Sequence, residues 1–269
     1  MRHGPVRRKR SHVQAGPYAV HSGFARNFQV PNCQNVSSGI LKLFAGTTGA
    51  QGTSPSGNAS PDTETDYTWD TGFTHQFTPH LNFARDDYYR MDRHYLREGQ
   101  FGFVPIDAPF NYVRGYGGGT ENSLTYNLED LAVRANVFVA REEDIGVASG
   151  QYNFPAAEVA QIDRHFIVLD HTPLIGASGG AAYRWKSYQF TVDGLFSSGL
   201  RGGFANQTQL PKVWQFNLSA ARDFVTGFGT FTNRIVLLNI FDRTNLIRPT
   251  IGIGVFQAAY GRESRCTTR

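Results

Sequence analysis

Cysteine is nearly absent from this sequence: Cys33 and Cys266 are the two in 269 residues. They stand in a predicted loop and near the C-terminal end, and they offer neither a disulfide framework nor a zinc-ligand spacing. Long apolar runs are missing too. A membrane-crossing helix needs about 20 consecutive apolar residues. The richest stretch here, Ile235 to Phe241, is interrupted by Asn239, so helical insertion is excluded. A secretory leader needs an apolar segment of about 7–15 residues behind its basic start, and Ser11-His-Val-Gln-Ala-Gly-Pro is not one. No signal peptide is therefore expected within the chain as written. Charge is sparse at 18%, and the formal net charge of +4 is misleading, because five basic residues fall among the first ten. Beyond them the balance is close to neutral and no nucleic-acid-binding module follows, so no nucleic-acid partner is expected. Residues 1–17 read as a disordered or non-native basic N-terminus.

What the chain does have is aromatic and glycine content: 21 Phe, 12 Tyr and 29 Gly, the balance of many strands separated by turns. Strict alternation places Tyr67, Trp69, Phe73 and Phe77 on one face, with Thr68, Asp70, Thr74 and Gln76 on the other. The same period of two puts Leu131, Val133, Ala135, Val137 and Val139 opposite Arg134 and Asn136. It recurs in Tyr188, Phe190, Val192 and Phe196 opposite Gln189, Thr191 and Asp193, and in Trp214, Phe216 and Leu218 opposite Gln215 and Asn217. Less regular strands are predicted over Tyr18 to Arg26, His80 to Tyr89, Thr120 to Leu128, Ile175 to Trp185 and Thr230 to Phe241. That makes about nine strands, many near the 9–11 residues of a tilted membrane-crossing strand. Tight connections at Thr78-Pro79, Glu129-Asp130, Lys186-Ser187 and Thr226-Gly227 alternate with long ones over Gln29 to Glu64, Met91 to Tyr116 and Arg141 to Pro173, the asymmetry of an outer-membrane barrel. The mean hydropathy of -0.36 suits a soluble β protein equally well.

Asn233-Arg-Ile-Val-Leu-Leu-Asn-Ile-Phe-Asp242, followed by Arg243, Thr244 and Ile251-Gly-Ile-Gly-Val-Phe256, resembles the near-terminal strand and turn of TonB-dependent outer-membrane receptors, with Ile240 where that family has Leu. Upstream, Glu98-Gly-Gln-Phe, Pro109-Phe-Asn-Tyr-Val-Arg-Gly-Tyr, Gln151-Tyr-Asn-Phe, Ile167-Val-Leu-Asp-His and Ser198-Gly-Leu-Arg extend the resemblance over residues 18–261. It implies an all-β fold, an antiparallel transmembrane β-barrel portion forming an incomplete, open part of a barrel of about 22 strands. It also implies a place in the Gram-negative outer membrane, among its lipids. The parent would take up a scarce solute such as a siderophore or cobalamin and would contact TonB and that solute through an N-terminal plug, which this chain lacks. Residues 262–269 form a polar tail, read as out of frame, where the family would end on an aromatic residue; the chain is therefore expected to be a fragment.

If the apolar stripes meet lipid, Arg134, Asn136, Asp193, Gln215 and Asn217 face the lumen, where they contact a solute or a plug or simply hydrate the wall. Gly115-Tyr-Gly-Gly-Gly-Thr is followed by no Gly-Lys-Ser/Thr, and reads as a flexible lead into the strand at Thr120. Phe44 to Thr63 reads as a mobile surface loop or, alternatively, as an interdomain linker. His165 and His171 with Asp163 and Asp170 match no metal-ligand spacing. Asp86-Asp87 and Glu142-Glu143 point to opposite faces of their strands. No catalytic, cofactor or metal site is expected. Two rival readings remain: a passive porin-like or adhesin-like barrel, and a soluble β-sandwich or lectin-like binding module.

Overall fold

The computed structural model describes residues 7–31, 38–102, 107–248 and 258–260; Cys33, Cys266, Ile251 to Phe256 and the 262–269 tail lie outside them. In chain order the elements are β1 (Arg7–Ala15), β2 (Tyr18–Gln29), α1 (Ser38–Phe44), β3 (Glu64–Thr78), β4 (Leu81–Arg93), β5 (Leu96–Gln100), β6 (Asp107–Leu128) and β7 (Leu131–Ser149). They continue with α2 (Ala156–Ile162), β8 (Ile167–Val168), β9 (Ile175–Trp185), β10 (Tyr188–Ser197), β11 (Arg201–Gly202), β12 (Thr208–Gln209), β13 (Val213–Thr226), β14 (Gly229–Leu237), β15 (Asn245–Arg248) and β16 (Ala258–Tyr260). One antiparallel sheet runs β1-β2-β3-β4-β6-β7-β9-β10-β13-β14, with β5 beside β6 and β8 beside β7. It does not close: β1 and β14 are its edges.

Five two-residue turns join neighbours at one end of this sheet, between Ala15 and Tyr18, Thr78 and Leu81, Leu128 and Leu131, Trp185 and Tyr188, and Thr226 and Gly229. Left-handed backbone at Gly16, Glu129 and Lys186 makes three of them tight. The long connections gather at the other end. There β6 and β7, at 22 and 19 residues, outrun the roughly 9–11 residues that a bilayer crossing takes. In a sheet that crosses a bilayer, positions more than about a dozen residues from the short turns would stand clear of hydrocarbon.

Residues directly opposite one another in a sheet share a face, so the register sorts every side chain. One face is apolar. Trp69, Phe73, Val137, Val192, Phe216 and Leu218 all keep about two-fifths of their surface open, Val192 39% and Val137 45%. That is the signature of a face built for a non-aqueous neighbour. Tyr89, Trp185 and Trp214 are also on this face. Tyr88 is on the other, its hydroxyl near Gly119, because adjacent strand residues alternate.

Midway along the apolar face of β3, β4 and β6, Arg85 meets Asp87 through two arms, Nε to Oδ2 at 2.9 Å and Nη2 to Oδ1 at 2.9 Å. Arg85 stands between Phe73 and Asn122 in register, and Asp87 between Thr71 and Thr120. A fully paired guanidinium and carboxylate is the form in which charge is tolerable beside lipid; one left alone is not. Arg85→Leu and Asp87→Leu are each expected to destabilise the folded chain in detergent more than the double replacement does. Denaturant midpoints of the three variants check this ordering.

The structure corrects four expectations. The basic segment taken as disordered contributes a strand from Arg7 to Ala15, paired along its length with β2; a charge run does not prevent backbone pairing at an exposed edge, and it brings the meander to ten strands. The Gly115 to Gly119 run lies inside β6 and is not a flexible lead-in. A Cβ at Gly117 would sit 2.8 Å from Glu142 Cγ, and one at Gly119 2.7 Å from the Val139 carbonyl, so the glycines serve close packing. The long connections are shorter than expected, since β4 runs to Arg93, β5 intervenes, and β6 and β7 extend far past Thr120 and Val139. Phe44 to Thr63 is anchored: Phe44 packs on Phe101 and Tyr152 at 4.6 and 5.2 Å between ring centres, and Ala50 is buried in the same small core.

Asn239, in the left-handed conformation, shows what the Asn-Ile-Phe-Asp-Arg stretch does. Its amide nitrogen donates to the Arg243 carbonyl at 2.9 Å and its Oδ1 accepts from the Arg243 N–H at 3.2 Å, closing a turn. Phe241 packs on Trp214 and Phe216, and the Arg243 guanidinium lies 4.6 Å over the Trp214 ring. The turn is thereby fastened to β13.

Candidate functional site

The polar face carries the five residues expected to face a lumen. Arg134, Gly180, Asp193 and Asn217 form one row across β7, β9, β10 and β13; Asn136, Ser178, Leu195 and Gln215 form the next. Asn217 Nδ2 donates to Asp193 Oδ2 at 2.7 Å, Gln215 Nε2 donates to Asn217 Oδ1 at 2.9 Å, and the Asn239 N–H reaches the same oxygen at 2.9 Å. Asp193, Gln215 and Asn217 are thus one chain of hydrogen bonds. Arg134 and Asn136 share their face but stand across β9 from them.

Farther from the short turns, the same face gathers a charged group that no sequence motif announces. In register lie Asn27, Asp66, Asp92, Gly115 and Asp144, and beside them Thr68, Arg90, Gly117 and Glu142. Glu64 joins from the end of β3, accepting the Leu96 N–H at 2.8 Å. Arg90 Nε donates to Asp92 at 2.7 Å, and Arg97 Nη2 lies 3.6 Å from Glu142. Both guanidiniums lie 4.5 Å over the Tyr95 ring, and Arg90 Nη2 also lies 3.9 Å from Glu64. Five carboxylates face two arginines. Asp144 is 1% exposed and its Oδ2 has no partner among the described residues; Gly115 makes room for it, with the carboxyl pressed against the glycine Cα.

Burial pushes the Asp144 carboxyl up to about 8, with Asp92 adding to the effect and Arg97 and Arg90 opposing it. Burial also raises Glu64. A raised folded-state value means that the neutral form is the one the fold accommodates. Stability is complete below the ordinary carboxylate range of about 4 and declines as pH rises through 8. The denaturant midpoint is expected to fall between pH 5 and 9, and Asp144→Asn to flatten that slope.

Above this wall, the long connections fold over a core of Tyr95, Phe110, Tyr112, Ile162, Ile167 and Leu169. Asn111, fully buried, fastens them: its Nδ2 donates to the Asp62 and His94 carbonyls at 3.1 and 2.6 Å, and its Oδ1 accepts from Ser149 at 2.8 Å. A cleft of about 350 Å³ opens between β5, α2 and the segment after β8, with Glu98, Glu158, Asp170, Arg97 and His171 at its rim. Of the histidines weighed as ligands, His171 contacts Asp170, and His165 Nδ1 lies 3.3 Å from the Gln161 carbonyl. Asp163 accepts the Val147 N–H at 3.0 Å. No group of three His, Cys, Asp or Glu residues suited to a metal occurs among the described residues.

Sequence reading missed the charged wall because its members come from β3, β4, β5 and β7, up to 80 positions apart. The available signal was local: Glu64-x-Asp66 and Arg90-x-Asp92 repeat charge at the strand period of two.

No protein-family model matches the sequence, and no curated protein matches it. Solved structures do. The siderophore receptor PiuA from Acinetobacter baumannii aligns with a TM-score of 0.65 at 12% identity, over 94% of this chain and 34% of that one. The ferric citrate transporter FecA in its unliganded form gives 0.63 at 14%, over 95% and 37%. The ferripyoverdine receptor of the outer membrane of Pseudomonas aeruginosa gives 0.57 at 11%, over 94% and 31%. The likeness is one of fold: the sheet is of the kind that builds the barrels of TonB-dependent outer-membrane receptors. The chain spans about a third of the length of those proteins.

Proposed function

We propose that this chain is the C-terminal barrel portion of an outer-membrane receptor for TonB-dependent uptake of a scarce solute, a siderophore, cobalamin or a similar compound. The observation that carries the reading is the two-faced sheet. Among the described residues its apolar face stays open, and its polar face leads from Arg134, Asn136, Asp193, Gln215 and Asn217, which face the lumen in this reading, to the charged wall and the cleft. A soluble sandwich would bury the apolar face on a second sheet. The fold shared with PiuA and FecA supports the same direction. Coupling to TonB, and the plug through which it acts, belong in this reading to the intact receptor, of which this chain supplies barrel strands; alone it is a fragment not competent for uptake.

The experiment is detergent-dependent solubility. Refolded from denaturant, the chain is expected to stay dispersed only with detergent or lipid, because an exposed apolar face and two open sheet edges associate in water. A monodisperse, detergent-free monomer would contradict the proposal and restore the soluble binding module.

A further inference from the structure

The cleft at the loop end differs in charge from the chain that carries it. The whole chain is formally +4, yet the rim presents Glu98 on β5, Glu158 on α2 and Asp170 beyond β8, three carboxylates converging from three separate elements. Arg97 and His171 accompany them, and both are engaged. Arg97 lies over Tyr95 and beside Glu142, and His171 contacts Asp170. Glu158 is held in place by the Ala205 N–H at 2.7 Å. The floor is different in kind. Phe110, Ile162 and Leu169 are almost wholly buried there and Phe154 packs against them, giving an apolar surface under a negative rim.

The wall below the cleft sets Glu64, Asp66, Asp92 and Glu142 against Arg90 and Arg97; Asp144 there is buried in its neutral form and adds no charge. Clefts of one sign with apolar walls concentrate counter-ions. A volume of about 350 Å³ falls within the usual range for small-molecule sites, about 300–1,000 Å³.

We propose that this cleft binds a solute with a cationic group and an apolar body, such as a hydrophobic ammonium or a metal chelate of net positive charge, and disfavours anions. The inference rests on the receptor reading for its biological meaning, and its binding test stands apart from it. The cationic group lies among Glu98, Glu158 and Asp170, and the apolar body lies on Phe110 and Phe154.

The test uses the full chain refolded in detergent, titrated by calorimetry with benzyltrimethylammonium, benzoate and neutral benzyl alcohol. The cation is expected to bind at least about tenfold more tightly than benzoate, with benzyl alcohol between them. Added salt weakens the cation alone. E98Q/D170N is expected to lose about tenfold for the cation and nothing for benzyl alcohol. Benzoate binding as well as the cation, a salt-independent cation affinity, or an unchanged double variant overturns the proposal. The salt series on the unsubstituted chain decides if that variant does not fold. Failure of the receptor reading appears elsewhere, as a chain that needs no detergent, and leaves the charge ranking to be judged on its own titration.

Discussion

Replacing Val192 with arginine is expected to abolish membrane insertion, while the same replacement one residue earlier, at Thr191, leaves it intact. Val192 is five residues into β10 from the Trp185 to Tyr188 turn and aligns with Ala181 and Leu218 on the apolar face. An arginine there meets hydrocarbon near its midplane, at a cost of about 2–4 kcal/mol on the lipid face of a barrel. Thr191 aligns with Ala182 and Ser219 on the polar face, two residues from Asp193, where a guanidinium stays in water. Replacements at such solvated positions usually change stability by about 0.5 kcal/mol or less. Partition of each variant into lipid vesicles, followed by flotation, reads the difference directly. Equal behaviour of the two variants would mean that the faces have been assigned the wrong environments.

The second large effect is expected at Gly115. Its missing side chain is the space that the Asp144 carboxyl occupies, and a Cβ would also come within 2.9 Å of the Glu143 carbonyl oxygen. Asp144 has no room to swing away, being 1% exposed beneath the folded connections. Overpacking of this kind typically costs about 1–3 kcal/mol, and Gly115→Val is expected to exceed Gly115→Ala. Shortening the neighbour relieves the clash, so Gly115→Ala combined with Asp144→Ala is expected to cost less than the sum of the two single changes. Denaturant midpoints in detergent supply the cycle, and strict additivity would show that the two residues do not share a space.

Much of this fold was legible because alternation leaves its mark in sequence. The stripes Trp69 to Phe77, Leu131 to Val139, Tyr188 to Phe196 and Trp214 to Leu218 lie in strands as predicted, and the four tight connections are real turns. The Asn239 to Arg243 stretch, which carried the family resemblance, closes a turn against Trp214. Less legible were features that depend on a partner strand. Arg7 to Arg10 looks like a charge run until β2 is beside it. The glycines of β6 look flexible until Glu142, Asp144 and Tyr88 fill the space above them. The charged wall exists only because the register brings Asp66, Asp92 and Asp144 into one row, and no single stretch of sequence contains that row.

The measurement that tests the two-faced sheet most directly is spin-label accessibility along β10, one cysteine at a time from Tyr188 to Ser197, in a background lacking Cys33 and Cys266, with the chain in lipid bicelles. Collisions with oxygen, which dissolves in lipid, and with a water-soluble nickel chelate are compared at every position. The expected result is a period of two in antiphase: oxygen high at 188, 190, 192 and 196, nickel high at 189, 191 and 193. In-phase profiles, or low accessibility to both at the even positions, would place the apolar face in a protein core and contradict the barrel.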